Sequence, residues 1–217
     1  MRKGDLLWAL ALAAAAAFLV VPATRQVFET LTKSHPYLIG FAKFFVLATM
    51  GELLALRIVT GTWSAPKGLF QRAVIWGLLG MVIVLVFAVF AGGVAGALKS
   101  GMLPGGDSKL AFAFLVSTIM NLTFAPAMML THRMTDTWLD LRYEGKGASV
   151  PEIVARIDWK GFVSFVLCKT IPIFWIPAHT ITFLLPPEYR VLMAAGLSIA
   201  LGAILAFAKK KSKPVNA

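Results

Sequence analysis

The sequence predicts an all-α polytopic transmembrane helix bundle of about six spans, and three observations carry that prediction. Of 217 residues, 59% are hydrophobic and only 14% are charged, against about a quarter in a soluble domain, and the mean hydropathy is +0.79. The apolar residues gather in runs at 6–21, 37–60, 74–98, 110–130, 162–185 and 189–208, parted by short polar connections. No run alternates in polarity as a barrel strand of about 10 residues would. Helices, which satisfy their own backbone in lipid, are therefore the spanning elements.

A helix needs about 20 residues to cross a hydrocarbon core of roughly 30 Å, so the first run is short and the others are adequate. The chain reads as one integral membrane domain: residues 1–23 form an extra N-terminal span, 35–208 the main bundle and 209–217 a basic tail. Met1-Arg2-Lys3, the first apolar run and Val21-Pro22-Ala23 also match a secretory signal cut after Ala23. Cutting there would leave five spans in the same orientation.

The net charge of +11 raises nucleic acid as a partner, but the distribution of the charge argues against it. With six spans and the N-terminus inside, Arg2, Lys3, Lys67, Arg72, Arg133, Arg142, Lys146, Arg156, Lys160, Lys209, Lys210, Lys211 and Lys213 fall on the inner face. Arg25, Lys33, Lys99, Lys109 and Arg190 fall on the outer face. Thirteen against five is the asymmetry that orients membrane proteins. Both termini are expected in the cytoplasm, with the Lys209 to Lys213 tail drawn to anionic lipid. The Met-Arg-Lys leader points to a bacterial cytoplasmic membrane, and Val215-Asn216-Ala217 is not a peroxisomal tripeptide.

The single Cys168 excludes an intramolecular disulfide and, lying inside the fifth run, is expected to pack internally. His35, His132 and His179 with one cysteine make no metal-ligand spacing, so neither a metal nor another cofactor is expected. No H-E-x-x-H, G-x-S-x-G, Walker or G-x-G-x-x-G motif is present, so the chain is not expected to be an enzyme.

The connection at 131–161 carries Asp136, Asp140, Glu144, Glu152 and Asp158 among basic residues. Trp138, Leu139, Leu141, Val150, Ile153, Val154, Ile157 and Trp159 recur there at helical spacing, interrupted at Gly145-Lys146-Gly147. Two short amphipathic helices at the inner interface are expected, with Pro151 in the first turn of the second, after Ser149.

Within the spans, Lys43, Glu52, Arg57, Asn121, Lys169, Thr170, His179 and Thr182 interrupt the apolar runs. An ionisable group in lipid costs a few kcal/mol, so it faces the bundle interior, a partner or water. Lys43 and Arg57 lie near span ends, where long side chains snorkel. Glu52 lies roughly 5 Å and Lys169 roughly 7 Å from the midplane, both toward the inner half, at 1.5 Å rise per residue. Matching depth makes Lys169 the expected partner of Glu52. Pro172 and Pro177 break the fifth span and free carbonyls that lipid cannot satisfy, as the wall of an aqueous path would. Phe124-Ala125-Pro126-Ala127 and Trp175-Ile176-Pro177-Ala178 echo one another.

The order of His35-Pro36, Gly51-Glu52, Gln71-Arg72 ahead of Gly77 and Gly80, Phe124-Ala125-Pro126, and Trp175 to Arg190 resembles the Mpv-seventeen/peroxisomal-membrane-protein family, over roughly residues 35–208. That resemblance implies a small integral helix bundle of peroxisomal or mitochondrial inner membranes, with bacterial relatives, and a pore for small solutes. The family's Gly-Asp is similar to Gly51-Glu52, and its acid-glutamine pair falls on Met120 and Asn121. Its Trp-Pro, Gln, Asn-Phe, Pro and Tyr-Arg signature is similar to Trp175, Pro177, His179, Thr182, Phe183, Pro187, Tyr189 and Arg190. Gly51, Pro126, Trp175, Pro177, Phe183, Pro187 and Arg190 are thus implied as structural positions. The first proline is displaced by one residue here, His stands for Gln and Thr for Asn.

The expected function is a channel or pore for small solutes or ions, its path lined by Glu52, Asn121, Lys169, His179, Thr182 and Lys43. The alternatives are a proton-coupled secondary transporter using Glu52, Lys169 or His179, and a non-conducting scaffold whose polar residues only join helices. A pore within one bundle would be narrow, and a wide one would require a homo-oligomer.

Overall fold

The computed structural model describes residues 3–211, which form α1 (Lys3–Val20), α2 (Pro22–Ser34), α3 (Pro36–Thr60), α4 (Leu69–Lys99), α5 (Lys109–Thr123), α6 (Ala125–Tyr143), α7 (Val150–Arg156), α8 (Trp159–Gly161), a π-helix (Phe162–Trp175), α9 (Ile176–Leu184) and α10 (Pro187–Lys211). Among the described residues there is no strand, as predicted. Proline stands in the first turn of α2, α3, α6, α7 and α9, where its fixed φ helps and its missing N–H costs nothing. Gly61 ends α3 in the left-handed conformation, a stop that residues with a Cβ rarely adopt.

Of these helices, α1, α3, α4 and the continuous segment Trp159–Leu184 are each long and apolar enough to cross a membrane. The α5–α6 pair, bent by 45°, makes a fifth crossing when counted as one broken span. The predicted count of about six therefore stands at four, or five with the bent pair, among the described residues. The run at 189–208 is helical within α10, but the basic tail beyond Lys211 lies outside the described residues.

The hub is α3, which packs against both α4 and α10. Small residues permit this. A Cβ on Gly80 would sit 2.6 Å from the Gly40 carbonyl oxygen, and one on Gly51 would sit 3.0 Å from the Ile199 Cα. Such backbone approach is how helices gain contact where lipid supplies no hydrophobic drive. Gly40 beside Gly80 and Phe41 beside Gly77 set α3 and α4 antiparallel. Gly51 beside Ile199 and Ala55 beside Gly202 set α3 and α10 parallel. Along α3, α1 runs antiparallel: the Trp8 indole donates to the Met50 carbonyl at 3.1 Å, and Arg57 pairs with Asp5 at 2.8 Å. Arg57 is thus paired rather than snorkelling alone. The core joins Phe44, Leu47, Ala48, Ile83, Phe87, Val116, Met120, Phe183 and Ala195.

Three elements differ from expectation. The segment Pro22–Ser34, not predicted as an element, is an amphipathic helix that buries Phe28 and leaves most of its other residues exposed. The first of the two expected interfacial helices is no separate piece: Trp138, Leu139 and Leu141 continue α6. The second forms as α7, with Pro151 in its first turn and a Ser149–Glu152 capping box. Leu141, Ile153 and Ile157 seal it against α6 in a small cluster of their own. The fifth span opens into i→i+5 turns, the Ile176 N–H bonding the Ile171 carbonyl. Pro172 lies within them, where a tighter α-turn would press its ring against a carbonyl four residues back.

Candidate functional site

A cavity of about 360 Å³ lies at the centre of the bundle, walled by α3, α4, α5, α6, the π-helix, α9 and α10. The two echoing tetrapeptides frame it. Phe124 and Trp175 each stand at a helix junction, each two residues before a first-turn proline, and both face the cavity.

Halfway along, α5 and α9 are bonded side by side. Ser117 donates to the Ile176 carbonyl at 2.7 Å. Asn121, 1% exposed, donates to the Ser117 carbonyl at 2.8 Å. Its amide nitrogen lies 3.0 Å and its oxygen 3.2 Å from His179 Nδ1, so the histidine tautomer decides which of them is the partner. The imidazole is stacked on Trp175 at 5.2 Å and meets the edge of Phe87 at 5.7 Å. Trp175 carries a buried indole N–H with no acceptor among the described residues, on the cavity wall. A buried donor left open is an available contact for water or a solute.

At the end of the cavity formed by the start of α4 and the far part of α6, Arg72 is 6% exposed and gathers three carboxylates. It reaches Asp136 at 2.9 Å, Asp140 at 2.5 Å and Glu52 at 4.0 Å. His132 Nε2 lies 3.6 Å from the second oxygen of Asp136, with Trp76 against its ring at 4.1 Å. This site is only partly legible in the sequence, where Arg72, His132 and Asp136 fall at or beyond the ends of the apolar runs. The signal available was His132 and Asp136 at i, i+4 on one helical face, in register with an arginine opening the preceding span.

The pairing of Glu52 with Lys169 is not found. Lys169 is exposed on the outer face of the π-helix, as is Cys168, which was expected to pack inside. Rotation of the helix decides against the pairing: Thr170, the next residue, is the one that turns inward and lines the cavity. An exposed lysine on a spanning helix extends its chain toward the polar interface. Thr182 is fully buried, but its hydroxyl donates back to the Ala178 carbonyl at 2.9 Å, and it is not part of the cavity wall.

A second cavity of about 300 Å³ opens at the other end, lined by Thr32, Lys33, Lys43, Pro187, Glu188 and Arg190 among others. Lys43 is 7% exposed, so it does not snorkel to bulk water. Arg190 donates to the Leu185 carbonyl at 3.0 Å and lies over the rings of Phe183, at 5.4 Å, and Phe112, at 5.9 Å. Phe87 belongs to both cavity walls and packs on Phe183 at 4.9 Å. Nothing in the sequence singled Phe87 out from its Val, Leu and Phe neighbours. Of the residues the family resemblance implied, Gly51 is a helix contact that also borders the central cavity, and Pro126 and Pro177 open helices. Phe183 is core, and Pro187 lines the second cavity. Among the described residues, no group of His, Cys, Asp and Glu is placed to hold a metal. In comparison with known proteins, no family model, curated protein or solved structure matches the chain.

Proposed function

We propose that this chain is a narrow membrane passage for small solutes or ions, held closed at Phe87. The carrying observation is the pair of cavities approaching from opposite ends of the bundle and sharing one aromatic wall. One end is charged by Glu52, Arg72 and Asp136, the middle is polar at Asn121 and His179, and the other end is cationic at Lys43 and Arg190. Charged rings at the ends and an apolar constriction between them are the parts from which gated pores are made. The α5–α6 pair and α10 complete six crossings in this reading. Both termini are cytoplasmic, the membrane is a bacterial inner membrane, and anionic lipid lies at the basic tail. The family-like order of Gly51-Glu52, Phe124-Ala125-Pro126 and Trp175 to Arg190 supports the same class of protein.

The test is flux through purified protein in liposomes. Removing the aromatic wall, Phe87→Ala, is expected to raise small-solute or ion flux several-fold over the wild type, with stepwise single-channel currents. A second reading, a proton-coupled transporter, is favoured by three carboxylates, Glu52, Asp136 and Asp140, sharing one buried guanidinium. It requires accumulation driven by a proton gradient instead of steps. Silence from both proteins in both assays would leave only a scaffold.

A further inference from the structure

Beyond the passage itself, the second cavity has a charge that no carboxylate among the described residues pairs with. Lys43 rises from α3 beneath α2 and is almost wholly buried, yet among the described residues no carboxylate lies within 4 Å of its ammonium. Its partners are neutral: the Thr32 hydroxyl at 3.1 Å, the Glu188 carbonyl at 3.5 Å and the face of Phe28 at 4.4 Å. Arg190, on the neighbouring α10, spends one N–H on a carbonyl and offers the rest of its guanidinium to aromatic faces. The one carboxylate of the wall among the described residues, Glu188, is already paired with Lys33 at 3.0 Å. The first turn of the 25-residue α10 also borders the space, adding the positive end of a helix dipole.

A buried cation without a counter-charge is costly, and the arrangement that offsets the cost is an anion in the adjoining space. We infer that the cavity between Lys43 and Arg190 is an oxyanion site. It takes a phosphate, sulfate or small carboxylate, whether free in solution or presented on a lipid headgroup. Arg190 offers the forked donors that suit such oxygens, and Lys43 supplies a point charge from the adjoining α3.

Binding is read without any gradient, so this site and the passage succeed or fail separately. The protein would be placed in nanodiscs of purely zwitterionic lipid and its thermal midpoint followed while inorganic phosphate is titrated. A saturable rise of several degrees is expected in the wild type. It should be lost in Lys43→Gln and in Arg190→Gln, and kept in Lys43→Arg and in the remote Lys99→Gln. A rise given by phosphatidylglycerol in the disc, to which free phosphate adds nothing, assigns the same site to a headgroup. The proposal is overturned if the wild type responds saturably to neither, a result that needs no variant to fold. It is equally overturned if the response survives in both Lys43→Gln and Arg190→Gln.

Discussion

At the scale of single residues, what matters is which charges share a partner. Arg72 is buried and holds Asp136 and Asp140 directly, with Glu52 at the edge of reach, whereas Lys169 stands outside the bundle. Removing one partner of a buried pair leaves uncompensated charge, at a cost of about 3–5 kcal/mol. Because Asp140 is half exposed, Arg72→Gln is expected near the lower end, about 3 kcal/mol, by thermal or denaturant unfolding in detergent. Lys169→Gln is expected within about 0.5 kcal/mol of the wild type, and Glu52→Gln with Lys169→Gln should behave additively. A Lys169→Gln loss as large as that of Arg72→Gln would contradict this assignment. Glu52, Asn121 and His179 were legible as interior groups because ionisable and amide side chains are rare in apolar runs. Their partners were not legible, since rotation about a helix axis leaves depth unchanged.

At the scale of elements, the breaks in the sequence mapped well onto breaks in the chain. Pro126 and Pro177 open new helices. Pro172 falls in the widened π-turns, and Ser149, Pro151 and Glu152 start α7. That last start titrates. The Glu152 carboxylate accepts from the Ser149 N–H at 2.8 Å and from its hydroxyl at 2.6 Å, which holds it below the ordinary glutamate value of 4.5. The hydrogen bond from Lys146 does the same for Glu144. A carboxyl group with a lowered folded pKa stabilises fully above its unfolded value, and that contribution is lost as the pH falls through the folded one. Hydrogen exchange at residues 150–157 should therefore accelerate as the pH drops from about 6 to about 3.5, after correction for intrinsic rates, and Glu152→Gln should blunt the change. Unchanged protection across that range would show that the cap does not hold α7. The amphipathic α2 is hard to read from sequence because its few apolar residues are scattered among polar and charged ones, and the chain between two spans reads as a loop.

For the whole molecule, the relative directions of the helices constrain the topology. Antiparallel α1 and α3, antiparallel α3 and α4, and parallel α3 and α10 all agree with alternate crossings, and leave the side on which the N-terminus lies to experiment. In intact cells carrying Cys168→Ser, an impermeant thiol reagent is expected to label Ser100→Cys and to spare Lys146→Cys. The reverse pattern would invert the protein and place the Arg72 cluster outside. The bent α5–α6 pair and the widened fifth span converge on the central cavity, so the irregular elements are the ones that build it. Irregular backbone at membrane depth is tolerated where protein or a water-filled space surrounds it.

Composition and run length were enough, without coordinates, for an all-helical chain with several membrane-length helices, for the residues that interrupt its spans and for the breaks at proline. Those properties are local: they follow from the solvation of side chains and from backbone donors that each segment must satisfy alone. Which interior groups meet was decided only by tertiary packing. The pairing of Glu52 with Arg72, the burial of Lys43 beneath α2, the outward turn of Lys169 and the shared wall at Phe87 depend on helix rotation and on contacts between backbones at Gly40, Gly80 and Gly51. No single span encodes these, because each is a relation between surfaces on different helices.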